Sequence, residues 1–276
     1  MRVSPIAFLN SQVPTIPVEI PSGSNIVMRF EDANTNFSAG VWADTASSPV
    51  AQIITGSLLA DKVTLSNNGL QLRNQATTEK AHAVVESLGT DIQFESFAIV
   101  FDRPGTSGGG GDDRNYFFDA RDANTESPDN GGFFNQYDAT AQGNGSFLGP
   151  SGSFYGWFAG DGSPAQFNPG ATTAANLTNG TGNNEGGVEQ YQWLGPTGRS
   201  TDNNKRVMHF NCNPSAIDEY KQIQNAAEGM YFGGNDNGGE ATWMRIYAII
   251  YWDVALTYND FTQLVGYFQS EGVIPT

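Results

Sequence analysis

The chain has 276 residues, with 29 acidic and 13 basic side chains for a formal net charge of −16, and it holds 33 glycines and a single cysteine, Cys212. An acidic balance of this size repels phosphate backbones and excludes nucleic acid as a natural partner, and one cysteine excludes an intrachain disulfide. Only 15% of residues are charged, while 5 Trp, 10 Tyr and 18 Phe supply bulky core material, a composition that predicts many short strands and tight turns rather than helices.

Residues 1–24 carry Pro5, Pro14, Pro17 and Pro21 around short apolar runs. Proline fixes φ and removes a backbone donor, so this segment predicts an extended arm in place of a helix. Such an arm cannot bury itself and suits gripping a neighbouring subunit as well as its own domain. The stretch "MRVSPIAFLNSQVPTIP" has no sustained apolar core of the kind a signal peptide needs, and no segment approaches the roughly 20 apolar residues of a membrane span. The expectation is a cytoplasmically made chain with no membrane insertion.

From Asn25 onward, short apolar or alternating runs are separated by turn signals. Strands are predicted at 25–30, 51–55, 62–66, 69–74, 81–88, 94–101, 115–120, 131–138, 153–160, 188–195, 205–213 and 229–234, because period-two alternation marks antiparallel strands with one face buried. The Asn-Gly pairs beginning at Asn68, Asn130, Asn144, Asn179 and Asn237 mark hairpins or loops, since both residues tolerate positive φ. Residues 103–114 and 167–187 read as long loops with few apolar anchors. No repeat of constant period runs through the chain, which argues against propellers and solenoids.

The final strand is predicted within "TWMRIYAIIYWDVAL". Strict alternation places Trp243, Arg245, Tyr247, Ile249 and Tyr251 on one face and Met244, Ile246, Ala248, Ile250 and Trp252 on the other. Both faces are apolar over the middle, so this strand is expected to be covered on both sides. A helix is predicted to start at Thr257 as N-cap with Asp260 three residues on. Phe261, Leu264, Val265 and Phe268 recur at helical spacing, and Gly272 marks the stop.

This C-terminal stretch, "MRIYAIIYWDVALTYNDFTQLVGYF", resembles the closing strand and helix of concanavalin A-like lectin/glucanase domains of the laminin-G-like kind, through Ile249, Tyr251, Asp253, Leu256 and Thr257. "VWADTAS" (41–47), "NNGLQLRNQA" (67–76) and "MYFGGNDNGG" (230–239) resemble earlier segments of that family. The resemblance implies an all-β jelly-roll sandwich of two antiparallel sheets with one short C-terminal helix, spanning residues 25–276 behind the arm.

That fold serves lectins, hydrolases, lyases and virion proteins alike, so function must be read from the site. The paired-carboxylate string E-x-D-x-x-E of the related glucanases is absent, and His82 and His209 are isolated, without metal-ligand spacing. The glycine run at Gly108 lacks the lysine of a phosphate loop. The sequence therefore predicts a protein that is not an enzyme. Carbohydrate binding needs aromatic platforms beside amides or carboxylates, and Tyr155, Trp157, Asp161, Tyr191 and Trp193 offer those types, whereas Trp243 and Trp252 suit packing between layers. Oxygen-rich loops suit calcium, with Asp119, Asp122, Asn124 and Asp236 as candidate ligands; the ordinary reading of each is a turn. The combined expectation is a virion structural or adhesive protein, such as a bacteriophage capsid decoration or tail-fibre subunit, joined to itself or other virion proteins through the arm and possessing surface glycans as a second class of partner. A free-standing lectin and a polysaccharide-cleaving enzyme of the same fold are the alternatives.

Overall fold

The computed structural model describes residues 19–30, 41–43, 50–56, 63–66, 69–73, 81–102, 114–119, 132–136, 154–157, 165–167, 177–181, 189–194, 205–211, 222–223, 230–233 and 243–276. In chain order these form β1 (Ser24–Arg29), β2 (Val41–Ala43), β3 (Ala51–Gly56), β4 (Val63–Ser66), β5 (Gly69–Leu72), β6 (His82–Ser87), β7 (Ile92–Gln93), β8 (Ser96–Asp102) and β9 (Arg114–Asp119). They continue with β10 (Gly132–Gln136), β11 (Phe154–Trp157), β12 (Ala165–Phe167), β13 (Leu177–Thr181), β14 (Glu189–Leu194), β15 (Arg206–Asn211), β16 (Gln222–Ile223), β17 (Met230–Phe232), β18 (Met244–Trp252) and α1 (Tyr258–Ser270). The described residues are thus mostly strands in antiparallel sheets, with one short helix. Neither large sheet closes on itself. The first runs β13-β14-β15-β8-β18-β5-β4, with β1 also on β18, and the second runs β12-β11-β10-β9-β17-β6-β3-β2. Strands β7 and β16 form a separate pair.

β18 is buried at all nine positions, as expected from its two apolar faces. One face joins the core shared by the two sheets, where Met244, Ile246, Ile249 and Tyr251 meet Phe97, Ile99 and Phe101 of β8, Met28 of β1, and Ile53, Val85 and Phe232 from the second sheet. The other face, with Tyr247, Ala248, Ile250 and Trp252, packs under α1. These memberships depart from strict alternation, because Ile249 and Tyr251 share a face with Met244 and Ile246. The register against β8 shifts between Ile246 and Ala248, and such a bulge inserts one residue and reverses the parity of everything after it. A period of two read from sequence carries no signal for that extra residue.

α1 lies on the far side of the first sheet. Thr257 caps it in a complete capping box, its hydroxyl accepting from the Asp260 amide while its own amide donates to the Asp260 carboxylate. At the other end Val273 N donates to Phe268 O and Gly272 N to Gln269 O. Gly272 sits at φ +69, the left-handed position that ends a helix in this paired pattern. A 13-residue helix is marginal alone, and it is burial of Phe261, Leu264, Val265 and Phe268 that holds it, at about 1.5–3 kcal/mol per side chain. Asn211 of β15 fixes the link into the helix, donating to Leu256 O and accepting from Leu256 N, both at 3.0 Å.

The last part of the 1–24 segment is not free. Ile20 packs against the helix-side cluster, and the Trp252 indole donates to Pro21 O at 3.0 Å; residues 1–18 lie outside the described residues. Trp252 is fully buried, whereas Trp243 is half-buried, with the Arg73 guanidinium 5.6 Å from its ring. β13 corrects the expectation of a loop over 167–187. Its sequence, LTNGT, contains an Asn-Gly turn signal, yet it pairs with β14 along its whole length, since ladder bonds need backbone amides and carbonyls rather than particular side chains. β2, β7, β12 and β16 have two or three residues each, too few for any periodicity to register. Of the predicted loops, residues 103–113 lie outside the described residues.

Replacing Thr257 by Ala removes the hydroxyl half of the capping box. The expected cost is about 1 kcal/mol, read as a fall in Tm of roughly 2–4 °C with an unchanged far-ultraviolet circular dichroism spectrum at 25 °C.

Candidate functional site

Two places in the described residues concentrate polar chemistry. The first is a buried charged cluster where β8 ends. Asp102 and Arg245 are cross-strand partners, and the guanidinium binds the carboxylate in bidentate fashion, Nε to Oδ1 at 3.1 Å and Nη2 to Oδ2 at 2.6 Å. The Tyr247 hydroxyl donates to the same Oδ2 at 2.7 Å. Lys205 closes the group, its Nζ lying 4.2 Å from the Tyr247 ring centroid and donating to Val273 O at 2.6 Å. Asp102 is only 1% exposed.

The electrostatics are those of a clamp. Burial, reinforced by the Asp102 charge and hydrogen bond, raises the Tyr247 phenol above its ordinary pKa, so it stays protonated as a donor. Burial works against the Arg245 charge, but Asp102 more than restores it. Burial lowers the Lys205 pKa, with Asp102 opposing and Arg245 adding to the effect. An aspartate saturated by three donors and a phenol locked in its neutral form hold β8, β18 and the tail after α1 together; nothing in the group is set up to attack a substrate. Space for Arg245 comes from Gly69, where a Cβ would lie 2.6 Å from the Arg245 Cγ.

The second place is the outer face of the second sheet. On β6, Ala83 and Val85 point to the core at 0% exposure, and the alternate residues Val84 and Glu86 retain 8% each, as does Tyr231 on β17. Gln52 of β3 pairs across from Glu86 and donates to its Oε1 at 2.5 Å. The rings of His82 and Tyr231 are 5.9 Å apart. Strand register extends this patch: Ile54, Val84, Tyr231, Asp119, Gly132 and Trp157 are successive direct partners across β3, β6, β17, β9, β10 and β11. Directly paired residues occupy one face of a sheet.

This row joins two residues singled out for different reasons, Trp157 as a carbohydrate platform and Asp119 as a calcium ligand. Tyr155 precedes Trp157 by two on β11 and pairs with Phe134 and Gln166. Asp161, Asp122, Asn124 and Asp236 lie outside the described residues. Tyr191 and Trp193 are placed elsewhere: both are buried between the first sheet and α1, at 2% and 4% exposure. Their selection as platforms is corrected, because a stacking platform needs a ring face open to water and these rings face Tyr258, Phe261 and their neighbours. In the sequence His82 is isolated, and nothing there sets Glu86, Gln52 or Tyr231 near it. Each is a single polar or aromatic residue in an alternating strand, and only strand pairing reveals that they adjoin. Among the described residues no group of three or more His, Cys, Asp or Glu is placed to hold a metal ion, and no helix is long and apolar enough to cross a membrane.

No protein-family model matches the chain, and no curated protein matches it. Among solved structures it is similar to a Trypanosoma rangeli sialidase in complex with sialic acid, at TM-score 0.45 and 10% identity over 95% of this chain and 36% of that one. The same sialidase in complex with the inhibitor DANA gives TM-score 0.45 and 11% identity over 91% and 34%, and the sialidase alone gives 0.44 and 8% over 95% and 36%. The chain spans about a third of the length of these structures. These structures are of an enzyme, and the expectation that this chain is not an enzyme is not carried forward. A likeness of this degree assigns no activity, substrate or residue role to this chain.

Asp102→Ala leaves a buried guanidinium without its partner, and the expected loss is about 3–5 kcal/mol of stability in urea unfolding. Asp102→Leu combined with Arg245→Met, which removes both charges, is expected to recover most of it.

Proposed function

We propose that the chain is a structural and adhesive virion subunit, built as a concanavalin A-like jelly-roll sandwich, that holds glycans on the outer face of its second sheet. The observation that carries this reading is the cross-strand row through Val84, Tyr231, Asp119 and Trp157, flanked by the Gln52–Glu86 pair and by His82 beside Tyr231. Sugars are bound by an aromatic ring for their C–H faces and by carboxylate and amide oxygens and nitrogens for their hydroxyls. Strand register sets Asp119 and Trp157 in line with Tyr231, and the first sheet has its outer face taken up by α1. The two-sheet core and C-terminal helix are what the family resemblance leads one to look for. The proline-containing arm of residues 1–24 is, on this reading, the segment that joins a second copy or another virion protein.

Binding to a panel of immobilised bacterial and animal surface glycans tests the site. Trp157→Ala and Glu86→Gln are expected to weaken retention about tenfold or more, equivalent to about 1.4 kcal/mol, with folding unchanged. Wild-type retention that survives both substitutions overturns the site. Release of reducing ends in the same wells shows whether a bound glycan is also cleaved. For assembly, native mass of the full chain is compared with a chain lacking residues 1–18. A defined oligomer lost on truncation is the expected result, and identical monomers overturn the role of the arm.

A further inference from the structure

His209 sits in the middle of β15, paired with Ala98 of β8 and Tyr191 of β14, and it is wholly buried. Its ring stacks on Tyr191 at 5.2 Å and 12°, and it meets Trp252 of β18 at 6.3 Å and Phe261 of α1 at 6.1 Å. Asn211 is the polar side chain that interacts with it, but neither ring nitrogen makes a well-formed hydrogen bond. Among the described residues, the titratable groups packed around it are phenols: Tyr191, and Tyr258 of α1 against Tyr191. β8 and β18 present Ala98 and Trp252. The first-turn carboxylate of α1, Asp260, is engaged by the Thr257 amide and hydroxyl. Asp102, Lys205 and Arg245 cluster at the start of β15, four residues along from His209. Among the described residues no carboxylate is placed against the ring to receive an imidazolium, and the ring lies against the first turn of α1, where the helix dipole is positive.

We propose that His209 is an acid-sensitive latch for α1: protonation of its imidazole drives the first turn of the helix off the first sheet and bares the apolar surface around Trp252 and Phe261. Burial lowers the His209 pKa to about 3, against a smaller opposing effect of Asn211, while an unfolded or undocked histidine titrates near 6.5. The docked state therefore binds fewer protons than the undocked one. Docking is at full strength above about pH 6.5 and weakens as pH falls toward 3, by at most about tenfold per pH unit.

Amide hydrogen exchange of the full chain, measured at pH 7, 5.5 and 4.5 and corrected for intrinsic exchange, tests the latch. Protection over 257–274 is expected to fall by about tenfold per pH unit below 6, while the 82–87 strand keeps its protection. In His209→Phe and His209→Gln the fall is expected to disappear. A fall of equal size in both variants, or none in wild type, overturns the proposal. Should neither variant fold, the wild-type imidazole resonances decide, since the chain has only two histidines. His209 titrating only as helix protection is lost supports the latch, and His209 titrating near 6.5 with α1 still protected overturns it.

Discussion

The structure depends on β18 being buried on both faces. Its one side belongs to the core between the two sheets and its other to the layer beneath α1, so a single strand ties together every described layer. It also splits one edge between two partners: β5 pairs with Met244–Ile246 and β1 with the stretch from Ala248 to Trp252. The bulge at Tyr247 lies at that changeover. A bulge sharpens the local twist of a strand, which suits a position where one neighbour ends and another begins. Because parity reverses there, the bulge decides which aromatic residues fill the inter-sheet core and which lie under the helix.

Two buried polar groups on the helix side of the first sheet are handled in opposite ways. Asp102 is charged and accepts from Arg245 and Tyr247, so its desolvation is offset by charge-assisted bonds of good geometry. His209 is kept neutral by burial in an aromatic cage, against a smaller opposing effect of Asn211. The first arrangement resists change over the neutral range, and the second makes the helix layer sensitive to acid. Asp102 ends β8 and His209 lies on β15, the strand paired to it, which gives this sheet a firm end and a yielding one.

The second sheet is the contrasting element. Its inner face is as dry as the rest of the core, with Ala83, Val85 and Phe232 at 0% exposure, while its outer face mixes Gln52, His82, Val84, Glu86 and Tyr231. Polar and aromatic residues reach this sheet face from strands far apart in the chain, not from one contiguous motif. Trp157 and Asp119 were legible as residue types suited to binding, but their place in one row with Tyr231 depends on pairings among β17, β9, β10 and β11. Tyr191 and Trp193, of the same residue types, fall under the helix instead.

By itself the sequence determined the local elements. Glycine-punctuated alternating runs marked most strands, the doubly apolar run 244–252 marked the central one, and Thr257, Asp260 and Gly272 marked both ends of α1. These features are encoded by neighbours a few residues apart, where backbone sterics, capping and periodicity act. The tertiary structure alone decided the rest: the bulge that reverses β18, the strand status of residues 177–181, and which aromatics are core and which share the outer face of the second sheet. Antiparallel pairing brings together residues separated by a hundred positions or more through backbone bonds that any side chain permits, so partner and register leave no local trace in the sequence.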